Sequence, residues 1–364
     1  MNILHIVPAL ESGGVETGTI DLAISLKKSG QVVIVASNGG RLVSELEKNG
    51  ISHVKLPVHK KCPLNLIMCG FRIASIIKKH HIDVVHVSSR APAWAGFIAC
   101  RLTKTPFVTS CHGFYSRHFF SSIMGRGKLV MVISDSIKKR MVEAFDVPKE
   151  KIRLVYRGVD LEKYSYLSDK YAVEKTSFKV VNIARLTPIK GQYEFIQAMK
   201  FVIDEMKHVE AWIVGGAEKK REAYLRTLRE RVRELGMEKH IKFFGLRKDV
   251  HNLLREADCL VLSSNVPEGF GRTVIEAGAT GTAVCASEVG GIKEIVEDGT
   301  SGLLFPPHNA RKMGESIAKM LGDIELRRRC AANLRKKIEK KFTLEKMARQ
   351  TLAVYDEAVK LSTK

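Results

Sequence analysis

Residues 267–281 read PEGFGRTVIEAGATG, and the reading of the chain's second half turns on them. Two glutamates, Glu268 and Glu276, bracket two glycines and an arginine where a helix pattern begins near Thr273. Val274, Ile275 and Ala279 are its apolar positions. On this reading Glu276 lies in the first turn, where the positive end of the helix dipole stabilises a carboxylate. Glu268 precedes the helix, in a loop whose glycines let backbone approach a ligand closely. A charge at a helix start beside an ordinary glycine turn would give the same pattern, so the rest of the chain has to decide.

Strand and helix patterns alternate around this stretch. Apolar runs at 179–183, 211–214, 241–244, 259–262 and 282–286 read as strands, with helical segments between them. The first half has the same alternation, with strands at 3–7, 32–36, 84–87, 107–109 and 129–133. Helical patterns cover 15–28, 64–79, 91–102 and 135–144. Continuous apolar strands separated by helices indicate parallel sheets covered on both faces. Residues 164–177 are polar and aperiodic and read as a linker, and the chain from 310 onward is helical. The expectation is an α/β protein of two doubly wound, Rossmann-like domains facing a central cleft, with ligands at the carboxyl ends of the strands. The domains are placed at 1–165 and 174–341, and residues 342–364 are read as a helix packing back on the first.

Composition narrows the classes. The 364 residues suit two domains with cores of their own, and 45% hydrophobic with 27% charged residues excludes a disordered chain. No apolar run approaches the ~18 residues needed to span a bilayer. The opening MNILHIVPALESGG lacks a basic leader and a small-residue cleavage site, so no signal peptide is expected. Seven cysteines without a CxxC pair suggest reduced thiols in the cytoplasm and no zinc site. The anomaly is charge. Sixty Lys and Arg against 39 Asp and Glu give +21, with a pI near 9.7. Residues 1–165 hold 24 basic and 12 acidic residues, hence +12, leaving +9 elsewhere. Such an excess implies an anionic partner: nucleic acid, an acidic membrane or a phosphorylated substrate.

Three further stretches carry chemistry. PALESGGVETG (8–18) is a glycine-rich turn between the first strand and first helix, where backbone amides can cradle a phosphate. It is not GxGxxG, and no acidic residue ends the second strand, so a dinucleotide site has little support. NIARLTPIKG (182–191) sets Arg185 and Lys190 five residues apart at a strand mouth. Two such cations suit a diphosphate, although solvated surface cations are the commoner outcome. TSCHGFY (109–115) puts His112 directly after a strand, where a structural histidine is the plainer alternative; VVHVSSRAPAW ends another strand with Ser88, Ser89 and Arg90.

The ordered set SGGVE, SCHG, ARLTPIKG, IVGG, FFGLRKDV and EGFGRTVIEAGATG resembles the retaining glycosyltransferases of family 4, which have the GT-B fold. The match covers essentially the whole chain, and SSRAPAW resembles a bacterial subset working on surface polysaccharide or lipopolysaccharide. The resemblance implies transfer of a sugar from a nucleotide-sugar donor, UDP-sugar by preference and GDP- or ADP-sugar as alternatives, with no further cofactor and no metal. By analogy Glu276 would accept from the ribose hydroxyls, and Glu268 would contact the transferred sugar. Gly269, Phe270 and Gly271 would lie near the sugar and phosphates. Arg185 and Lys190 would neutralise the diphosphate, Gly13 and Gly14 would approach the phosphates from the other domain, and His112 would lie near the reactive carbon.

Arg90, Phe114, Tyr115 and Arg117 are candidates for an anionic glycan or glycolipid acceptor. FYSRHFFSSIMGRGK (114–128), with aromatics among cations, is read as a peripheral contact on the inner face of the cytoplasmic membrane, or else as cover for the core. Two departures stand out: Cys111 precedes His112, and the segment between Tyr115 and Leu129 is short for this subset. The competing readings are a sugar-nucleotide 2-epimerase of the same fold, for which no acid/base carboxylates are identified, and a scaffold homologue. A polyanion-binding protein is the third; no helix-turn-helix, finger or RNP-like signature is present, so nucleic acid is not the expected partner. Oligomeric state is not legible.

Overall fold

The structure, a computed structural model, describes residues 1–11, 13–173, 175–216 and 222–363. Ser12 of the glycine-rich turn, Glu174 at the expected start of the second domain and Lys364 at the end of the last segment lie outside the described residues. The chain forms two compact units, Met1–Gly158 with Leu344–Lys364, and Val159–Thr343.

In unit 1 seven parallel strands, β1 (Asn2–Ile6), β2 (Val32–Ser37), β3 (Ser52–Lys55), β4 (Val84–Ser88), β5 (Phe107–Cys111), β6 (Leu129–Val132) and β7 (Ile152–Leu154), lie in the order β3-β2-β1-β4-β5-β6-β7. They alternate with helices α1 (Gly14–Lys28), α2 (Val43–Lys48), α3 (Pro63–Lys79), α4 (Arg90–Thr103), α5 (Phe119–Ser122) and α6 (Asp135–Phe145). Unit 2 repeats the pattern with β8 (Phe178–Ile183), β9 (Val209–Val214), β10 (Ile241–Gly245), β11 (Cys259–Leu262), β12 (Ala283–Ser287) and β13 (Leu303–Phe305), in the order β10-β9-β8-β11-β12-β13. Its helices are α7 (Gln192–Glu205), α8 (Glu222–Glu234), α9 (Val250–Glu256), α10 (Arg272–Thr280), α11 (Ile292–Ile295), α12 (Ala310–Gly322) and α13 (Ile324–Lys341). A last helix, α14 (Leu344–Thr363), belongs to unit 1. Both strand orders are those of a doubly wound sheet, reversing between β1 and β4 and between β8 and β11.

Three strands were not foreseen: β3, β7 and β13. Each is the outermost strand of its sheet and only three or four residues long. β3 and β7 carry polar residues within their few positions, and β13, Leu303–Phe305, is apolar but only three residues long, too short to stand out as a strand. The first boundary also shifts. Residues 159–165, counted with the first domain on sequence, belong to unit 2. Val159 donates its N–H to Phe342 O at 2.9 Å, and buried Tyr164 meets His251 edge-on at 6.2 Å. These apolar side chains find their core there.

Each sheet is sandwiched between helices. In unit 1, Ile3, Val35 and Val84 pack under Ile20 and Ala23 of α1 and under Val354 and Tyr355 of α14. In unit 2, Val180 and Val261 pack with Phe195 and Met199 of α7 and Ile317 of α12. Ser134, Asn309 and Asp323 cap α6, α12 and α13 through their side chains. The helices α1, α4 and α10, which follow central strands, start at Gly13, Ser89 and Gly271 with no side-chain cap, as α2, α3 and α7 also do. Their first amides are left for other partners.

Tyr355 is fully buried, with its hydroxyl 2.7 Å from His86 Nδ1 of β4. Tyr355→Ala should therefore destabilise unit 1 by about 3–5 kcal/mol, the range for truncating a large buried aromatic. A lowered denaturation midpoint for a unit 1 probe, with unit 2 unchanged, is the expected measurement.

Candidate active site

In unit 2 the candidate residues leave the ends of β8 and β11, the two strands flanking the reversal. The β8 loop is pinned from inside. Gln192 Nε2 donates to Arg185 O at 2.9 Å, Ser263 Oγ to Lys190 O at 2.8 Å, and Asn182 Nδ2 to Ser263 Oγ at 2.9 Å. Lys190 ends a short 3-10 turn, and its ammonium pairs with Glu268 Oε1, which also accepts from Ser264 Oγ. Both members of the pair are largely buried. Arg185 is exposed and has no ion pair among the described residues. The sequence reading gave Lys190 and Glu268 to different parts of a ligand; the structure brings them into direct contact.

Glu268 is held by its backbone as well. Gly291 N–H donates to Glu268 O at 2.9 Å, and Gly290 lies against the same residue with φ +55°. A Cβ at Gly290 would stand 2.1 Å from Glu268 O, so only glycine permits this approach. Phe270 is buried, its ring 5.5 Å from that of Phe342. Glu276 is not in the first turn. The helix begins at Arg272, so Glu276 is its fifth residue, buried and paired with Arg272 Nε at 2.7 Å. An i,i+4 cation, not the helix terminus, is its partner.

In unit 1 the reading of His112 acquires neighbours that sequence reasoning missed. Arg157, just after β7, donates from Nη2 to His112 Nδ1 at 3.1 Å. Arginine can only donate, so Nδ1 is the acceptor and the ring proton sits on Nε2. Nε2 lies 2.8 Å from Ser110 Oγ, which is 2.9 Å from Ser88 Oγ, itself 3.0 Å from His5 Nε2. Donation therefore runs from Arg157 to His112 and from His112 Nε2 to Ser110 Oγ, and the Ser88 hydroxyl links Ser110 to His5. His5 stacks on His86 at 4.2 Å.

All three imidazoles are held neutral. Burial, then the Arg157 guanidinium, lowers His5 from 6.5 to about 3. Burial foremost, with cation and ring neighbours behind it, holds His86 and His112 well below 6.5. The signal was present in the sequence as polar residues at alternate positions of otherwise apolar strands, His86 and Ser88 in β4 and Ser110 and His112 around β5.

The glycines of the first turn carry less than expected. A Cβ at Gly14 would meet nothing within 4 Å, and one at Gly13 only the flexible end of Glu16. Gly18 is the position with a steric reason: a Cβ there would stand 2.6 Å from Arg157 Nη1. Its missing side chain lets Arg157 reach His112.

Arg90 and Tyr115 gather near His112. The Arg90 guanidinium lies 5.3 Å over the Tyr115 ring, and Arg90 Nη1 donates to Ser121 Oγ at 3.2 Å. Phe114 is exposed, and Arg117 makes only a solvent-exposed contact with Asp146 at 3.8 Å. Of the proposed membrane loop, Ile123 and Met124 are fully buried in the core. Among the described residues no group of His, Cys, Asp or Glu could hold a metal ion.

The depressed histidines make unit 1 acid-sensitive. Their unfolded-state pKa is about 6.5, above the folded values, so the unfolded chain takes up protons first as pH falls. Tm should be level above pH 6.5 and fall steadily between there and about pH 3, the value for His5. ¹⁵N-histidine NMR should show His112 as an untitrating Nε2–H tautomer at neutral pH, and Arg157→Gln should move its titration up toward 6.5.

Comparison with known proteins identifies the family of both units. Residues 12–163 match the model described as Glycosyltransferase Family 4, and residues 165–337 that of Glycosyl transferases group 1. A crystal structure of a glycosyltransferase from Rickettsia africae ESF-5 is 31% identical, covering 99% of this chain and 98% of that one, with a TM-score of 0.87. Uncharacterized glycosyltransferase MJ1607 of Methanocaldococcus jannaschii is 25% identical over 383 residues, 96% of this chain and 95% of that protein. Anabaena Alr3699/HepE, crystallised with UDP-glucose, shares the fold at 24% identity over 98% of this chain and all of its own, TM-score 0.85. Two Rossmann-like α/β units in one chain, with these matches across both, place the protein in the family 4 glycosyltransferases of the GT-B type.

Proposed function

We propose that the protein transfers a sugar, with retention of anomeric configuration, from a UDP-sugar to an anionic glycan or glycolipid at the inner face of the cytoplasmic membrane. The observation that carries this reading is the Lys190–Glu268–Ser264 cluster beside the exposed Arg185. Breaking a sugar–phosphate bond leaves negative charge on the departing diphosphate. Arg185 and Lys190 are set at a strand mouth where fixed cations stabilise that charge without reorganising. Glu268, held by Lys190, Ser264 and the Gly290 approach, is pre-oriented for sugar hydroxyls. Glu276 serves the ribose, with Arg272 fixing its carboxylate. The uncapped start of α10 leaves amides at Gly269–Gly271 and beyond for phosphate oxygens.

The leaving phosphate takes the acceptor proton as the new bond forms on the face just vacated. His112, neutral and fixed by Arg157, offers a polar wall for the sugar without adding positive charge against the oxocarbenium-like carbon. The complex of Alr3699/HepE with UDP-glucose supports uridine as the base for a chain of this fold. The basic balance of residues 1–165 supports an anionic acceptor. Arg90 and Tyr115 are its nearest candidates, with Phe114 and Arg117 further out.

Two results test this reading. Lys190→Ala should weaken UDP binding and also lower turnover, because it releases Glu268. Glu268→Gln should leave UDP binding within about threefold while turnover falls, and the double variant should be clearly non-additive because the two groups touch. Additive losses measured by calorimetry and kinetics would remove the shared role. Separately, the product's anomeric configuration read by NMR should match the donor's. Activity lost in chelator and restored by magnesium would replace the side-chain account of leaving-group stabilisation.

A further inference from the structure

Helix α3 is apolar on two sides. Its inward stripe, Leu66, Cys69, Gly70, Ile73, Ala74 and Ile77, is buried, and the helix packs along α4. Yet Leu64, Ile67, Met68 and Phe71 are 67%, 45%, 53% and 59% exposed. Their i, i+3, i+4, i+7 spacing gathers them on one outward stripe. A stripe of that spacing normally faces a core, and here the core is already served by the other side. Aromatics extend the patch at the start of the helix. Phe119, 76% exposed, lies 5.3 Å from Trp94 of α4, and Phe120 lies beneath Lys61 Nζ at 5.8 Å.

The surrounding charge is one-sided. Residues 48–134 contain thirteen Lys and Arg and a single acid, Asp83. Asp83 is engaged, its Oδ2 accepting from Asn2 N–H at 2.6 Å. Lys60, Lys61 and Arg72 flank the stripe itself. A second copy of the chain would bring these cations against their own kind with no carboxylates to pair with. A nucleic acid would meet them with phosphates but has no use for the apolar centre. An anionic phospholipid surface satisfies both, with acyl chains for the stripe and headgroups for its rim.

We propose that the outward face of α3, continued by Phe119, is the surface on which unit 1 docks to an anionic bilayer. It rests on the bilayer contact proposed above, moves its centre from the 114–128 loop to α3 while keeping Phe119, and does not depend on sugar transfer. The side of α3 that starts the helix follows β3, so it lies toward the carboxyl edge of the sheet, where β5 delivers His112. Docking there would bring a lipid-borne acceptor to that edge.

Co-sedimentation of the full chain with phosphatidylcholine vesicles, with and without phosphatidylglycerol, is the test. Binding should need phosphatidylglycerol and fade as salt rises from ~0.1 to ~1 M, where the Debye length falls from ~10 to ~3 Å. The variant Ile67→Ser, Met68→Ser, Phe71→Ser, with Tm as its folding control, should lose binding by roughly tenfold or more, since it removes the inserting side chains. Phe71→Trp keeps an aromatic at the site, and brominated acyl chains should quench its added fluorescence. Binding by the triple variant equal to the native chain's, no quenching in Phe71→Trp beyond that of the native tryptophans, equal binding to both vesicles or binding to neither would each overturn the proposal. So would a concentration-dependent dimer in sedimentation that the triple variant abolishes, which would make the face a self-association surface. Vesicle binding that follows the expectation in a protein showing no UDP thermal shift would instead count against the sugar-transfer reading alone.

Discussion

Both sheets are parallel and covered by helices, and that constraint sets where chemistry can occur. A strand buried on two faces must be apolar over its length, and its amides are consumed by its neighbours. Polar groups can collect only where strands end. The strand orders reverse between β1 and β4 and between β8 and β11, so the loops there part to opposite sides and leave room. Arg185 and Lys190 follow β8, Glu268 follows β11, and His112 ends the strand beside β4.

Unit 1 breaks the apolar rule in one place. His5, His86, Ser88 and Ser110 are buried polar residues inside central strands. The register sets His5 beside His86 and Ser88 beside Ser110, so the groups share one face and can bond to each other. The chain bonds one nitrogen of His5 and both hydroxyls, Tyr355 bonds one nitrogen of His86, and the rings stay neutral, while His5 Nδ1 and His86 Nε2 have no hydrogen-bond partner among the described residues. Arg157 fixes the direction at His112, since a guanidinium has no acceptor. A residue beyond the last strand thereby fixes a proton on a ring two strands away.

In unit 2 the organising contact is an ion pair. Lys190 and Glu268 come from different loops, 78 positions apart in sequence. Removing either would leave the other largely buried and unpaired, which is costly. The surface of α3 is a different kind of feature, since its outward stripe is exposed, with no covering partner among the described residues.

What the sequence by itself determined was the alternation of strands and helices, hence two doubly wound units, and the position of Arg185, Lys190 and His112 just past strand ends. Apolar runs and helical spacing are local, so one dimension records them. The three edge strands left no apolar run longer than three residues within their bounds. The helix start at Arg272, one residue earlier than its apolar pattern, moved Glu276 out of the first turn and gave it Arg272 as partner. Only the tertiary structure decided that Lys190 meets Glu268, that Arg157 crosses Gly18 to reach His112, and that Ile123 and Met124 are core while Leu64, Ile67, Met68 and Phe71 face outward. Those outcomes depend on strand register and on which helix face a neighbour already covers, and both are fixed by contacts between segments far apart in the chain.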